Sequence, residues 1–478
     1  MVQLYADVLL MIMLELQDDI SSLHSCVLVN KSWSRIAVFF LWKYISRINE
    51  ITYSRDRDSR VKLYKVIANF LPIESENLLI NNNIILPSYK LPRKPTFEYM
   101  NYFTQITPYW IRDMVQLFIK EDSTHKKNLL ETQIYNLIFV NCKNINHFHL
   151  NTDIEFYKFP SVGSFFLNLQ SLLINFDNNN MVTSKTLFEL ATICQNIKTL
   201  EVFYCNEDSK GLALFIEMQH NLRSLFLNFI DNKNKYPLLS NVVKKKAATL
   251  KTLMTTPLID PGSFLSLINL QHLELINHDG DEPYNCYKNV DWKQWEDCLD
   301  KASFPNLRIF EATHIPSSIE CLIIEKSDKS IIEIDICCSR EFQDYRAKNL
   351  NLIIIISKYC PNLRSLNLDI DPGNLCEINR IFSNCTVLEK LSFNINVSTL
   401  SDDGDYLLEI ISNKSPLSLR EFSGDDWNFS KDGLEAFFNC WKCKKRNPIK
   451  FTHRYMDLWH DDQKNVVSKY MKEGVIKL

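Results

Sequence analysis

Two cysteines and two histidines near the C-terminal end of the chain are of residue types that bind zinc. Cys440 and Cys443 form a Cys-x-x-Cys pair, and His453 and His460 follow it. Two thiolates and two imidazoles make a tetrahedral zinc set, but a zinc finger has about twelve residues between its pairs and three to five between its histidines. Here nine residues separate Cys443 from His453, and six separate the histidines. The spacing argues against zinc, and the sequence predicts neither a metal nor a cofactor.

No motif for nucleophilic or phosphate chemistry is present. The chain has no G-x-S-x-G, H-E-x-x-H or paired Cys/His signature, and its ten histidines are dispersed. Only nine glycines occur in 478 residues, and none forms a phosphate-cradling loop. A triad assembled by folding would leave no mark of this kind in one sequence. The sequence favours a protein that is not an enzyme.

Three clusters of charged residues could bind a ligand or could lie at the ends of helices. Lysines at 244–246 and basic residues at 442–446 have the composition of a localisation signal or an anion patch, but also that of a solvated helix end, which we favour. Asp402, Asp403 and Asp405 lack the spacing and the distal Glu of a calcium loop. We interpret them as acids at the N-terminus of a helix.

The composition and net charge argue against nucleic acid and membranes as partners. The chain is 46% hydrophobic and has 54 basic and 57 acidic side chains, a net charge of -3. No global positive field exists to attract nucleic acid or an anionic membrane, and no apolar run approaches the roughly 18 residues of a membrane span. Scattered cysteines and the lack of a basic region before Val8 predict an intracellular protein, cytoplasmic or nuclear, with reduced thiols.

The first 45 residues have the pattern of three short helices. Leu9, Ile12 and Leu16 share one side of the first helix, and Val8 and Leu14 continue the apolar character around it. A helix that is apolar almost all round must bury both sides, one in its own domain and the other against something else. This pattern predicts a protein partner.

Capping residues separate the three helices. Asp18-Asp19 precedes a second periodic stretch from Ile20 to Val27, and Ser32 is the predicted cap of a third helix that contains Trp33. So short a module has too small a core to be very stable alone, and a partner would stabilise it.

The string LYADVLLMIMLELQDDISSLHSCVLVNKSWSRIAVFFLWKYI resembles the F-box motif. The resemblance implies a surface that grips a Skp-type linker protein of a cullin-RING ubiquitin ligase. The matching positions, and so the implied partner-binding residues, are Leu4, Asp7, Leu9, Ile12, Leu16, Ile20, Leu23, Val29, Trp33, Leu41 and Trp42. One position departs from the family pattern, because Tyr5 stands where Pro usually follows the opening Leu. Without that φ-restricting residue the start of the helix is less preset, which weakens docking.

From about residue 140 onward one short frame recurs, in which apolar residues stand at positions 1, 4 and 6. It resembles the L-x-x-L-x-L of leucine-rich repeats. Its last two apolar residues lie two apart on a short strand and point inward. The clear instances are Ile145/Phe148/Leu150, Leu169/Leu172/Ile174, Ile197/Leu200/Val202, Leu222/Leu225/Leu227, Leu270/Leu273/Leu275, Leu363/Leu366/Leu368 and Leu388/Leu391/Phe393, and the weaker ones are Leu250/Leu253, Leu307/Phe310, Ile331/Ile334/Ile336 and Leu419/Phe422.

Segments between the frames predict helices. Ser184, Ser209 and Ser430 are the expected N-caps of three of them, and Ile319/Leu322/Ile324 fits a helix after Pro316 better than a further frame. The positions of five cysteines support the repeat independently. Four of them stand three residues before the first apolar position of a frame, and a fifth directly follows a frame. They are Cys142, Cys194, Cys360, Cys385 and Cys205. Small free thiols in a repeated buried slot suit a reduced solenoid better than a metal site.

The sequence thus predicts an α/β chain: a three-helix F-box-like module over residues 1–45, a mostly helical linker with a proline-rich loop over 46–135, a leucine-rich-repeat solenoid over 136–450 and a helical cap over 451–478. The resemblance implies a non-catalytic substrate adaptor of an SCF-type ligase, which binds an unidentified target protein on the repeats. The alternative is a structural scaffold whose N-terminal helices only cap the repeats.

Overall fold

The computed structural model of the chain describes residues 6–46, 57–87, 97–152, 154–176, 182–230, 236–277, 290–337, 344–395, 403–425 and 427–477. The chain divides into two units. We call residues 1–204 and 209–222 the N-terminal unit, and residues 205–208 and 223–478 the C-terminal unit.

The N-terminal unit contains helices and four short strands. Its helices are α1 (Ala6–Glu15), α2 (Ile20–Val27), α3 (Lys31–Ser46), α4 (Arg57–Ala68), α5 (Ile73–Asn81), α6 (Pro108–Phe118), α7 (Thr124–Asn141), α8 (Val162–Leu167), α9 (Ser184–Ile193) and α10 (Lys210–Met218). Its strands are β1 (Gln105–Ile106), β2 (His147–Leu150), β3 (Ser171–Asn175) and β4 (Thr199–Cys205), whose last residue belongs to the other unit. β1 pairs in parallel with β2, β2 with β3, and β3 with β4.

The C-terminal unit repeats the same alternation. Its helices are α11 (Pro237–Lys246), α12 (Trp292–Leu299), α13 (Ser317–Glu325), α14 (Tyr345–Tyr359), α15 (Ile378–Asn384), α16 (Gly404–Lys414), α17 (Lys431–Cys443) and α18 (Asp461–Lys472). Its strands are β5 (Ser224–Phe229), β6 (Thr252–Thr255), β7 (His272–Ile276), β8 (Ile309–Thr313), β9 (Glu333–Cys337), β10 (Ser365–Asp369), β11 (Lys390–Asn394), β12 (Glu421–Ser423), β13 (Ile449–Thr452) and β14 (Ile476–Lys477). They also form a parallel ladder in chain order.

The predicted frames coincide with strands β2 to β12. Their inward residues share one register, so that Leu172 lies opposite Leu200, and Leu366 lies opposite Ile334 and Leu391. All of these side chains are buried, as are the first apolar positions of the frames, such as Leu169 and Leu363. Side chains alternate across a strand, so the burial of one set leaves the other set on the opposite face of the ladder. The predicted α/β leucine-rich-repeat fold is confirmed.

Paired strands also occur outside the predicted repeat region of 136–450. In the N-terminal unit, β1 lies inside the segment predicted as a helical linker and pairs with β2; in the C-terminal unit, β14 lies beyond residue 450 and pairs with β13. Residues 451–478, predicted as a helical cap, contain α18 between the end of β13 and β14. These strands have two to four residues and lack the full frame, so their sequence pattern is too short to reveal them.

Most predicted helices and caps agree with the structure. Ser209 and Ser430 cap α10 and α17 with their hydroxyl oxygens, and α13 covers the segment after Pro316. Two predicted caps were wrong. Thr183 caps α9, while the Ser184 hydroxyl accepts a hydrogen bond from the Gly211 amide.

Asn30, rather than Ser32, caps α3. Its side-chain oxygen accepts hydrogen bonds from the amides of Ser32 and Trp33, at 2.9 and 3.1 Å. The amide nitrogens of the first helical turn have no partner within the helix, and an Asn side chain at this position satisfies two of them. Asp19 caps α2 in the same way through the Ser22 amide, as predicted.

Candidate docking surface and strand face

Helices α1, α2 and α3 pack around a small apolar core. Met13 from α1, Leu23 and Cys26 from α2, and Ala37 and Phe40 from α3 are buried together, and partly buried residues such as Trp33 pack against them. The periodic pattern of the sequence placed these side chains on facing sides of three helices. The core positions the outer surface of α1.

The eleven predicted partner-binding residues have different environments. Leu9, Leu23 and Trp42 are buried; Ile12, Leu16, Ile20, Trp33 and Leu41 are half-buried; Asp7 and Val29 are exposed; and Leu4 lies outside the described residues. Motif positions therefore mark chiefly the side chains that hold the module together. Direct contact of these residues with a linker protein stays a prediction, and Asp7 and Val29 are the two that a partner reaches most readily.

Helix α1 is apolar on two sides. Leu9 and Met13 face inward and are buried, whereas four apolar side chains on the other side are exposed. These are Val8, Leu10, Met11 and Leu14, of which Met11 is 67% exposed. Their positions span a continuous arc of the helix surface, as the 100° step between successive residues requires. Helix α1 is thus apolar on both sides, as predicted, and the apolar residues of its outer side are exposed.

Two further exposed apolar residues follow in the turn between α2 and α3. Leu28 is 75% exposed and Val29 is 57% exposed. We call Val8, Leu10, Met11, Leu14, Leu28 and Val29 the outer apolar patch. Only Val29 of this set was among the predicted partner-binding residues. For Val8, Leu10, Met11 and Leu14, the signal is their position on α1 opposite the periodic face of Leu9, Ile12 and Leu16.

The C-terminal end of α3 is covered by the chain that follows. Trp42 is 8% exposed and stacks against Phe103, with ring centroids 5.8 Å apart. Phe39 meets Tyr102 edge to face. The three-helix module is thus fastened at this end, while its outer apolar patch stays exposed.

The second candidate surface is the exposed face of the strand ladder in the C-terminal unit. Glu274 of β7 lies opposite Glu311 of β8, and Glu311 lies opposite Asp335 of β9. Neighbouring strands are about 4.8 Å apart, so three carboxylates stand side by side. Like charges in directly opposed positions destabilise a sheet.

Electrostatics follow from this arrangement. Partial burial, then Glu311 and, more weakly, Asp335 raise the pKa of Glu274 to about 6, while His272 opposes the shift. Burial also raises the pKa of Asp335, against a lowering hydrogen bond from Asn367, whose amide nitrogen lies 2.8 Å away. His272 Nε2 and Glu311 Oε1 are 2.9 Å apart. Among the described ion pairs, Glu311 is paired with His272, and Glu274 is in none.

Cys440, Cys443, His453 and His460, the four residues considered for zinc, do not come together in one site. His453 uses both ring nitrogens within the chain, since Nε2 lies 3.1 Å from the Trp427 carbonyl oxygen and Nδ1 accepts from the Tyr455 amide. Cys443 is exposed, and His460 is the N-cap residue of α18. Within the described ranges, these four side chains do not form a group with metal-binding distances.

The five cysteines of the repeat phase are buried, as predicted. Cys142, Cys194, Cys360 and Cys385 each terminate a helix just before a strand. The Cys385 thiol contacts the Cys360 carbonyl oxygen at 3.2 Å, which links one repeat to the previous one. Burial raises the pKa of Cys194 and of Cys385 to about 12, so these thiols are poor nucleophiles.

The basic cluster at 442–446 is engaged with its own chain. The Lys444 ammonium donates to the Ser412 carbonyl oxygen, and the Arg446 guanidinium donates to the Ser415 carbonyl oxygen and lies over the Trp441 ring. Lysines 244–246 form the last turn of α11, as the interpretation of a helix end requires. No described helix combines the length and apolar character needed to cross a bilayer.

The repeated frame, the parallel ladders and the helices between strands define an α/β protein of the leucine-rich-repeat class. Neither the comparison with family models nor that with curated proteins gives a match. Among solved structures, the chain is similar to that of the Rad7 and Elc1 complex in yeast, at 11% identity and a TM-score of 0.34, over 90% of this chain and 94% of that one. It is also similar to the leucine-rich repeat-containing protein LegL7 from Legionella pneumophila, at 13% identity and a TM-score of 0.32, over 71% of this chain and 94% of that one. Likenesses this distant carry no argument about function.

Proposed function

We propose that this chain is a non-catalytic adaptor that docks a Skp-type linker protein through its N-terminal module and holds a target protein on its repeats. One observation carries the proposal: the outer apolar patch is exposed although the opposite side of α1 is buried. Val8, Leu10, Met11 and Leu14 adjoin one another on α1, and clustered exposed apolar residues mark binding surfaces in soluble proteins. The F-box-like order of landmarks from Asp7 to Trp42 supports a Skp-type linker as the partner.

In this proposal the chain belongs to an SCF-type cullin-RING ubiquitin ligase inside the cell. Its contribution is to hold a target close to the enzymes that transfer ubiquitin, which raises the effective concentration of the reacting groups. The covalent chemistry belongs to those partners. The exposed strand face and the loops around it are the surfaces available to a target.

A titration with purified Skp-type linker tests the proposal on the full-length chain. Met11→Asp and Leu28→Asp each place a charge in the outer apolar patch, and we expect each to weaken binding at least about tenfold. Leu417→Asp, at a residue 79% exposed in the C-terminal unit, is the matched control and should bind like the parent. The proposal fails if the parent chain does not bind or if Met11→Asp and Leu28→Asp bind as tightly as it does.

The alternative is a structural repeat protein whose N-terminal helices only cap the ladder. The stacking of Trp42 on Phe103 favours it, because a cap must be fastened to the chain it covers. It leaves the outer apolar patch without a function. Absence of linker binding by the parent chain would favour this alternative.

A further inference from the structure

Three potential metal ligands converge on strands β7 and β8. They are His272, Glu274 and Glu311, and one ligand atom from each lies within 4.8 Å of the other two. His272 and Glu274 are two residues apart and so lie on the same face of β7, while Glu311 stands next to Glu274 on β8. All three side chains are half-buried on the exposed face of the ladder.

The strands hold these residues in place. Leu273 and Leu275, which alternate with the two β7 ligands, are fully buried, and so is Phe310, which precedes Glu311. Backbone hydrogen bonds between β7 and β8 fix the lateral spacing. Ligands on packed strands hold a more precise geometry than ligands on loops.

The chemistry of this set suits a divalent transition metal. Imidazole nitrogen and carboxylate oxygen are both zinc ligands, and catalytic zinc sites keep three protein ligands, whose donor atoms lie about 3.4 Å apart around the ion. The observed spacing needs only small side-chain rotations to reach that value. A hard cation that prefers oxygen ligands alone would make less use of the imidazole.

Charge gives a second reason. Glu274 and Glu311 are in direct register, and partial burial makes their shared negative charge costly. Among the described ion pairs, Glu311 meets only His272, and Glu274 appears in none. A dication is the compact counter-charge for such a pair. Asp335, the next carboxylate in the row, is instead hydrogen-bonded to Asn367.

We propose that His272 Nε2 and the carboxylates of Glu274 and Glu311 bind one divalent ion of the zinc class. Three protein ligands leave at least one coordination position open toward the exposed strand face. The metal would thus join β7 to β8 and present an open position to a molecule on that face. This site is independent of the proposed linker docking.

Calorimetric titration of the metal-stripped, reduced, full-length chain with Zn²⁺ tests the site. The parent should bind one ion that Glu311→Gln and His272→Ala each weaken at least about 100-fold, since even second-shell changes cost 10- to 100-fold. Glu311→Gln keeps the shape of the side chain and a hydrogen-bonding group for His272, so its fold should be retained. Melting of each variant without metal verifies this.

Two controls make the result specific. Glu201→Gln removes another half-buried strand-face carboxylate, on β4, and should bind zinc like the parent. Cys443→Ser removes an exposed thiol that would also attract zinc, and should likewise leave the site intact. The proposal is overturned if the parent binds no zinc, if Cys443→Ser abolishes binding, or if Glu311→Gln and His272→Ala bind as well as the parent.

Discussion

The indole ring of Trp42 lies against the phenol ring of Tyr99, with centroids 4.8 Å apart and planes inclined by 33°. Trp42 closes the last turns of α3, and Tyr99 belongs to a short 3-10 helix just before β1. This contact joins the three-helix module to the start of the strand ladder within the N-terminal unit. The motif had placed Trp42 among the partner-binding residues, but this contact shows that Trp42 stabilises the fold. The outer apolar patch, by contrast, is exposed.

Replacement of Trp42 by Ala should destabilise the N-terminal unit. Truncation of a buried tryptophan typically costs about 3 to 5 kcal/mol, through lost burial and the cavity that remains. Chemical unfolding followed by circular dichroism measures the change. Trp42→Phe, which keeps an aromatic ring beside Tyr99, should lose much less, and equal stability of the Ala and parent chains would contradict the assigned contact.

Removal of the α3 cap should have a smaller effect. Asn30→Ala leaves the amides of Ser32 and Trp33 without their side-chain acceptor and should cost about 1 kcal/mol. Asn30→Asp keeps an acceptor and is the matched control. Ser32→Ala, at the position that the sequence favoured, should change the free energy of unfolding less than Asn30→Ala. The reverse order would contradict the observed cap.

The frames of the repeat could be predicted because each carries its own signal. Leu222, Leu225 and Leu227 lie within six residues, and this spacing alone predicts which side chains point inward. Strand β1 carries two residues and no such signal. The F-box-like motif was informative in a different way, since its landmarks chiefly identify the core of the module.

The convergence of carboxylates on the strand face was not predicted, although the frames contain a signal for it. Glu274 and Glu311 are far apart in the sequence, and only the parallel register of β7 and β8 brings them together. Both glutamates stand at the fifth position of their frames, which begin at Leu270 and Leu307, so aligned frames imply this register. By contrast, nothing near Trp42 in the sequence indicates that Tyr99 and Phe103 cover it.

A charge at Leu225 should open the repeat stack. This side chain is fully buried on β5 and lies opposite Leu253 of β6, so Leu225→Asp must bury a carboxylate or expose its neighbours. We expect a loss of at least about 3 kcal/mol, measured by thermal and chemical unfolding. Ser224→Asp, one residue earlier and on the other face, is the control. A Leu225→Asp chain that melts like the parent would contradict the inward register.

The burial of Glu320 predicts how the stability of the folded chain changes with pH. It is fully buried on α13, and neither carboxylate oxygen has a hydrogen-bond partner. Burial, and secondarily the charge of Asp369, hold its pKa well above the usual 4.5. Below that value both folded and unfolded chains carry the proton. Above it the unfolded chain releases the proton while the folded chain keeps it, so this group lowers stability as pH rises.

Glu320→Leu should therefore stabilise the protein increasingly from about pH 5 to pH 7, with the difference from the parent growing by up to about 1.4 kcal/mol per pH unit for one proton. The free energy of unfolding, measured in urea at several pH values, gives this difference directly. Glu325→Gln, near the end of the same helix and only half-buried, should give a difference that varies little over the range. If the difference between Glu320→Leu and the parent stayed constant with pH, Glu320 would have to ionise in the folded chain as readily as in the unfolded one. That would require a cation or a water-filled space beside a buried carboxyl group whose helix neighbours three and four residues on, Ile323 and Ile324, are also fully buried.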